Sequence, residues 1–378
     1  MRVGFFTDTF YPNVDGVVTT LINYRNEMQK RGDEVFVFTS GDRKTREENR
    51  DKRVLVFRSF RFPPYPQYKI ALFPFSSTKI AREKKIELVH CHALASMGLA
   101  AIKTSRDLHL PLLGTFHTMV PLAAKKMMGR TAERILWKAV KVFYDRFDLV
   151  TCPTKTIQEI LREKGVESVI VPNAIDTVRY NPSVKGGTVR NLVGADKIVL
   201  VAGRVSQEKS IEVIVKSAPQ VLKQTAGQNV KFVVTGDGPD RKRIEDLVKS
   251  EGLQKNFVFT GFVKREHLPS YYAACDCFAT ASTFETQGLA LLEAMACGKP
   301  VVGARAMAIP EAVRENKNGF LFAPGDEGEC AEKIVKILTM KKSARARMAG
   351  NARKTAEQYS IPKSTSKMLG VYGELLRC

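Results

Sequence analysis

Short apolar runs alternate with segments of helical periodicity along this chain, and no other property limits its possible folds as strongly. RVGFFTD (2–8) is an apolar run ending in turn-forming residues. Val17, Leu21, Tyr24 and Met28 follow at helical spacing, and EVFVFTS (34–40) is the next run. The order continues through VLVFRS (54–59), IELVHCH (86–92), PLLGTFHT (111–118) and LVTCPT (149–154). After VESVIVPNAIDTVRYNP (166–182), a turn-rich stretch with two prolines, the alternation starts again. KIVLVAGR (197–204), KFVVTGDGP (231–239), NFVFTGFV (256–263), CDCFATAS (275–282), KPVVGAR (299–305) and GFLFAPG (319–325) read as strands. Strands separated by helices form parallel sheets covered by those helices. The pattern predicts an α/β chain of two doubly wound, Rossmann-like domains with a hinge near 173–182, and 378 residues exceed what one core usually fills. Residues 326–358 read as charged helix and 362–376 as a last helix.

The formal net charge is +21, shared evenly between the two halves, which suggests anionic partners: phosphorylated ligands, nucleic acid or a membrane face. Seven cysteines include no C-x-x-C pair, and an odd count suits reduced thiols better than a disulfide framework. No D-x-D triplet and no histidine pair at i, i+4 occurs, so no local signature of a metal site is present. MRVGFFTDTF reaches Asp8 before any apolar run long enough for a signal peptide or membrane span, so a cytoplasmic protein is expected.

Ligands of open parallel sheets lie outside the carboxyl ends of the strands, and two such sheets predict a cleft with a site between them. FETQGLALLEAMACGKPVV (284–302) carries Glu285 and Glu293 around a strand-to-helix loop, the helix being closed by Gly298 and followed by Pro300. At that junction the N–H groups of Gln287, Gly288 and Leu289 have no helical acceptor, which favours an anion such as phosphate. The two carboxylates must then accept from ligand hydroxyls or be unrelated to the ligand, as a solvated loop acid and a helix surface charge. Hydroxyls flanking a diphosphate describe a sugar nucleotide. Arg204 and Lys209, in VAGRVSQEK, follow the first strand of the second half and combine a planar fork with a compact charge, a pairing suited to a diphosphate. Two solvated cations would look the same. Gly236 in GDGP and the TGF stretch running into Phe262 and Val263 are strand ends that admit a ligand near backbone or form plain turns. In the first half, Asp15-Gly16 precedes a helix, His90 and His92 suit packing or capping, and His117 ends a strand where function gains weight.

Taken together, GRVSQEK, GDGP, TGF, ETQGLALLE, EAMACGKPVV and VPNAID resemble the retaining glycosyltransferases of family 4, over nearly the whole chain. The resemblance implies the GT-B fold, two Rossmann-like domains facing each other across a cleft. It implies an acceptor-binding domain over 1–172, onto which a C-terminal helix at 359–378 returns, and a donor-binding domain over 173–358. It implies that Arg204 and Lys209 hold the donor diphosphate, that Glu285 contacts the transferred sugar and Glu293 the ribose, and that Thr286, Gln287, Gly288 and Leu289 meet the phosphates. Gly236, Phe262 and Val263 would complete the nucleotide site, and His117 and Gly16 would line the reacting centre from the other domain. No metal or other cofactor is expected, the cations and helix N–H groups meeting the charge on the departing diphosphate. Glu285 is a poor nucleophile by analogy, because transfer with retention in this family is argued to be front-face displacement.

The stretch 121–147 holds seven basic residues, Lys125, Lys126, Arg130, Arg134, Lys138, Lys141 and Arg146, interleaved with Met127, Met128, Ile135, Leu136, Trp137, Val140 and Phe143. It reads as an interfacial helix on an anionic bilayer or as an ordinary surface helix burying its apolar side. FYPNVDGVV and GTFHT followed by this segment resemble the subgroup acting on diacylglycerol or phosphatidylinositol. The expectation is a peripheral enzyme on the inner face of the cell membrane, moving glucose from UDP-glucose to a lipid acceptor with an α-linkage. Mannosyl transfer from a GDP-sugar, a phosphatidylinositol or a soluble sugar phosphate as acceptor, a sugar-nucleotide epimerase and a nucleic-acid-binding protein using the basic surface are the alternatives; no recognised nucleic-acid-binding motif is present, so nucleic acid is not expected as a partner.

Overall fold

The computed structural model describes residues 1–377 except 13–14, 63–64, 72–73 and 75, and leaves the side chains of 61–62, 65–70 and 123–128 outside the description. The chain forms two compact units, Met1–Ala174 with Ile361–Cys378, and Ile175–Ser360.

The first unit holds β1 (Arg2–Thr7), β2 (Glu34–Gly41), β3 (Val54–Phe62), β4 (Tyr65–Ala71), β5 (Leu88–Cys91), β6 (Leu112–Thr115), β7 (Leu149–Cys152) and β8 (Val169–Ile170). They lie in the order β4-β3-β2-β1-β5-β6-β7-β8, all parallel except β4, which pairs antiparallel with β3. The first helix, Gly16–Lys30, is capped by Asp15, whose carboxylate accepts from Val18 N at 2.8 Å. Its buried face runs through Val18, Leu21, Tyr24 and Met28, one position away from the expected Val17.

The second unit holds β9 (Lys197–Ala202), β10 (Val230–Thr235), β11 (Phe257–Gly261), β12 (Cys277–Thr280), β13 (Val301–Ala304) and β14 (Gly319–Phe322). Their order is β11-β10-β9-β12-β13-β14, all parallel. Both faces are covered. Along β9, Val199 and Val201 enter one core cluster, while Ile198 and Leu200 enter another with Leu291, Leu292 and Met295. A strand buried on both sides is apolar at nearly every position, which is why these strands are legible as near-continuous runs.

The last helix, Ile361–Leu375, packs with the first unit through Met368, Val371 and Tyr372, beside Leu21, Tyr24 and Met28 of the first helix. Tyr372 also hydrogen-bonds to buried His90 Nδ1 at 2.6 Å, and His90 Nε2 reaches Thr115 at 2.7 Å. The second unit's ends are joined side by side, Ile175 N donating to Tyr359 O at 2.7 Å. Six cysteines are free and buried, and Cys378 lies outside the described residues. Among the described residues no helix is long and apolar enough to cross a membrane.

The helix Val120–Tyr144 contains the basic stretch and is interrupted at Gly129, whose φ of 82° is not helical. Trp137, Val140 and Phe143 are buried, and Trp137 stacks near Phe116 at 6.2 Å between centroids, so the tryptophan belongs to the core and not to an outer face. Among the described residues Ile135 and Val142 face outward, 61% and 57% exposed, beside exposed Arg134 and Lys138, and Val120 is exposed at the start of the helix. The side chains of Lys125, Lys126, Met127 and Met128 lie outside the described residues.

Tyr372→Phe should leave His90 Nδ1 buried without its partner and destabilise the protein by about 1–3 kcal/mol. Urea unfolding followed by circular dichroism measures this, with a lower midpoint expected for the first transition.

Candidate active site

In the second unit the chain runs from β9 to β10 on one side and later returns to β12 on the other. The loops at the carboxyl ends of β9 and β12 therefore diverge and leave a crevice at this switch in strand order. The crevice is lined by Gly203, Arg204, Lys209, Thr280, Glu285 and Gly288 among others.

The two loops are bonded to each other below the crevice. Thr283 N and Ser282 Oγ donate to Glu208 O at 3.2 and 3.3 Å, and Ala308 N donates to Glu285 O at 3.2 Å. Lys209 closes a short turn, Gln207–Lys209, and its Nζ lies 2.5 Å from Glu285 Oε1. The two residues are thus an ion pair, partly shielded from solvent, which excludes the reading of Lys209 as a free solvated cation. Arg204 is exposed, and among the described residues it has no carboxylate partner. Gly288, with φ of 78°, turns the loop into the helix Leu289–Ala296, placing Leu289 in its first turn. Thr286 is half-buried and Gln287 buried, each with a bonding partner of its own.

The neighbouring strand ends are close-fitted. Gly203 N donates to Thr235 O at 3.0 Å and Gly236 N to Gly261 O at 2.8 Å. Gly236 has φ of 121°, and a methyl group there would lie 1.9 Å from Gly203 O. Only glycine satisfies both conditions. Just beyond β11, Phe262 is 64% exposed and Val263 half-buried.

Glu293 is not the helix surface charge that its position allowed. It lies one turn inside the helix and accepts from buried Tyr272 at 2.8 Å. Burial pushes its carboxyl up to about 7, opposed by hydrogen bonds from Tyr272 and Tyr180 and by the charge of Arg265. Sequence reading passed over both tyrosines, since nothing local ties residues 180 and 272 to 293.

In the first unit the strand order switches beside β1, between β2 and β5. Gly16 is exposed at the first position of its helix. Asp8, just past β1, was also passed over; it accepts from Ala95 N at 3.0 Å and Met97 N at 3.1 Å, at the start of the helix Ser96–Leu108. Burial raises its carboxyl to about 6 against those two bonds. His117, half-buried two residues past β6, has Nε2 3.0 Å from His92 Nδ1. Burial lowers His117 to about 4 and holds His90 and His92 well below the usual range, so all three rings are neutral at physiological pH. Gly16 and His117 belong to the first unit; Arg204, Lys209, Gly236, Phe262 and the 285–293 stretch belong to the second.

The family model for Glycosyltransferase Family 4 matches residues 14–179, and that for Glycosyl transferases group 1 matches residues 189–355. The alpha-monoglucosyldiacylglycerol synthase of Streptococcus pneumoniae is 31% identical over 316 residues, covering 80% of this chain and 70% of that protein. The chain belongs to the glycosyltransferases of family 4. Sulfoquinovosyl transferase SQD2 of Arabidopsis thaliana is 29% identical over 381 residues, covering 97% of this chain and 72% of that protein. Among solved structures, the Anabaena protein HepE in complex with UDP-glucose superimposes with a TM-score of 0.79 at 23% identity, covering 99% of this chain and all of that one. The fold of this glycosyltransferase is accordingly GT-B, with two Rossmann-like sheets.

A carboxyl group that binds its proton more tightly folded than unfolded stabilises the fold at low pH relative to high pH. For Glu293 the loss runs from its ordinary value near 4.5 up through about 7. Glu293→Gln should therefore flatten the decline in stability of the glycosyltransferase between about pH 5 and about pH 8, read from urea midpoints at each pH.

Proposed function

We propose that this protein transfers glucose from UDP-glucose to diacylglycerol at an anionic membrane surface, keeping the α configuration and using no metal ion. The observation that carries the reading is the Lys209–Glu285 pair at the switch-point crevice, with Arg204 on one side and the Gly288 turn on the other. The acceptor follows from the relative whose name describes a monoglucosyldiacylglycerol synthase.

The donor diphosphate fits between Arg204, Lys209 and the first turn of the helix Leu289–Ala296, where unsatisfied N–H groups and the helix dipole favour negative charge. Glu285 is held in place by Lys209 and accepts from the sugar hydroxyls. Gly236, packed without a side chain against Gly203, brings backbone to the nucleotide; Phe262 and Val263 offer a surface to the base; Glu293, oriented by Tyr272, accepts from the ribose. As the glycosidic bond to the diphosphate breaks, negative charge grows on its departing oxygen, and the same cations and N–H groups stabilise that charge more than they stabilise the ground state. The acceptor hydroxyl attacks on the face from which the diphosphate leaves, so configuration is kept without a covalent sugar–Glu285 intermediate. Gly16 and His117 serve the acceptor side of the reaction.

Incubation with a panel of labelled nucleotide sugars and lipid extract should give label in monoglucosyldiacylglycerol from UDP-glucose, at an unchanged rate with chelator. Glu285→Gln should abolish transfer, and Arg204→Ala should slow it by about a hundredfold or more. Transfer only from GDP-mannose, only to a soluble sugar phosphate, or only with added divalent ion would refute the respective parts of the proposal.

The outward face bearing Arg134, Ile135, Lys138 and Val142 supports a membrane role through cations flanking exposed apolar groups. Each cation near anionic headgroups contributes about 1 kcal/mol. Replacing Lys125, Lys126, Lys138 and Lys141 by Ser should weaken co-sedimentation with phosphatidylserine-containing vesicles, with a smaller effect for Lys141, whose ammonium is bonded to Asp145 at 2.7 Å.

A further inference from the structure

His92 lies one residue past β5 and His117 two residues past the adjacent strand β6. His90 and His92, two positions apart, project on the same side with ring centroids 3.9 Å apart, while the edge of Phe5 closes on His92 at 5.0 Å. His90 uses both ring nitrogens, one on Tyr372 and one on Thr115. His92 does not. Its Nδ1 meets His117 Nε2 at 3.0 Å, and its Nε2 is buried with no hydrogen-bond partner.

A neutral imidazole has one N–H and one bare nitrogen, so the orphaned Nε2 of His92 discriminates between two arrangements. With the proton on Nε2, a donor would be sealed away from every acceptor. With the proton on Nδ1, only a lone pair is left unmet, and the N–H is used on His117. Orphaned N–H groups are the rarer of the two defects in folded proteins. A doubly protonated His92 would restore the orphaned donor and add a buried charge, which its surroundings oppose.

We infer that His92 is a positioning residue that donates from Nδ1 to His117 Nε2 and thereby fixes His117 as the neutral tautomer protonated on Nδ1. Among the described residues no group of the protein bonds to His117 Nδ1, and unlike His92 Nε2 it is not among the buried orphans. His117 therefore keeps a neutral N–H donor for an oxygen of the substrate, and it neither takes up nor supplies a full proton at physiological pH. This function for the donor rests on the proposed role of His117 at the reacting centre; the tautomer itself does not. Free imidazole side chains favour the opposite tautomer, so a protein contact is needed to hold this one.

The test combines a spectroscopic and a kinetic measurement on the full chain. In protein labelled with 15N-histidine, ring-nitrogen shifts should show both His92 and His117 protonated on Nδ1. In His92→Phe, which fills the same space and removes the orphaned nitrogen, His117 should move toward the Nε2-protonated form. The kcat of that variant, with whichever nucleotide sugar the parent turns over, should fall about tenfold, the scale of one lost hydrogen bond, while KM for the nucleotide sugar stays the same. His92→Asn, whose amide nitrogen can occupy the place of Nδ1, should recover most of the rate. Thermal unfolding of both variants should match the parent. An Nε2-protonated His117 in the parent, an unchanged tautomer in His92→Phe, or a parental kcat in that variant would overturn the inference. If His117→Ala retains full transfer while the parent shows the expected tautomer, the role given to His117 fails and the hydrogen bond from His92 stands.

Discussion

A parallel sheet whose first strand lies in its interior must send successive connections to opposite sides of that strand, and the loops leaving its carboxyl end then part. In the second unit this places the turn after β9 and the loop after β12 on the two walls of one crevice, and from it follow the meeting of Lys209 with Glu285 and the position of the first turn of Leu289–Ala296 along the crevice wall. The side chains named there come from segments 76 residues apart, joined by backbone bonds beneath them. The crevice is therefore a property of strand order first and of side chains second. Gly203, Gly236 and Gly261 hydrogen-bond across the ends of adjacent strands, and the absence of a side chain at Gly236 is what lets Gly203 O approach it.

Charge is used differently in the two units. The second unit arranges full charges, with Glu285 paired to Lys209 and Arg204 exposed with no carboxylate partner among the described residues. In the first, buried His90 and His92 and half-buried His117 are held neutral by desolvation, and what they contribute is direction, set by which of their ring nitrogens the neighbours engage. Glu293 stands between these cases. Its carboxyl sits close to the boundary between charged and neutral because burial and the tyrosine hydrogen bonds act in opposite directions.

The two sheets were legible in the sequence because strands buried on both faces read as nearly continuous apolar runs, such as VFVF within EVFVFTS and IVLVA within KIVLVA. The strands that escaped were those free of that requirement. β4 is an antiparallel partner of β3 containing Pro66, and β8 has only two residues. Within the candidate site, the glycine turns and the loop-to-helix junction could be read locally, because a backbone conformation leaves its mark on the residues that adopt it. Pairings could not. That Lys209 would bond to Glu285, Tyr272 to Glu293 or His92 to His117 depends on which strands are neighbours, and the two readings of 121–147 stayed open for Trp137 because composition alone does not tell which side of a helix faces the core.

The helix Ile361–Leu375 has a consequence for biosynthesis. Residues 1–174 leave the ribosome well before the helix that covers Leu21 and Tyr24 and bonds to His90, so the nascent first unit waits with one side open. The second unit is continuous from Ile175 to Ser360 and has its whole core available before that helix emerges. The later-encoded unit is thus the one able to finish first, and the earlier-encoded one is completed by a segment translated after it.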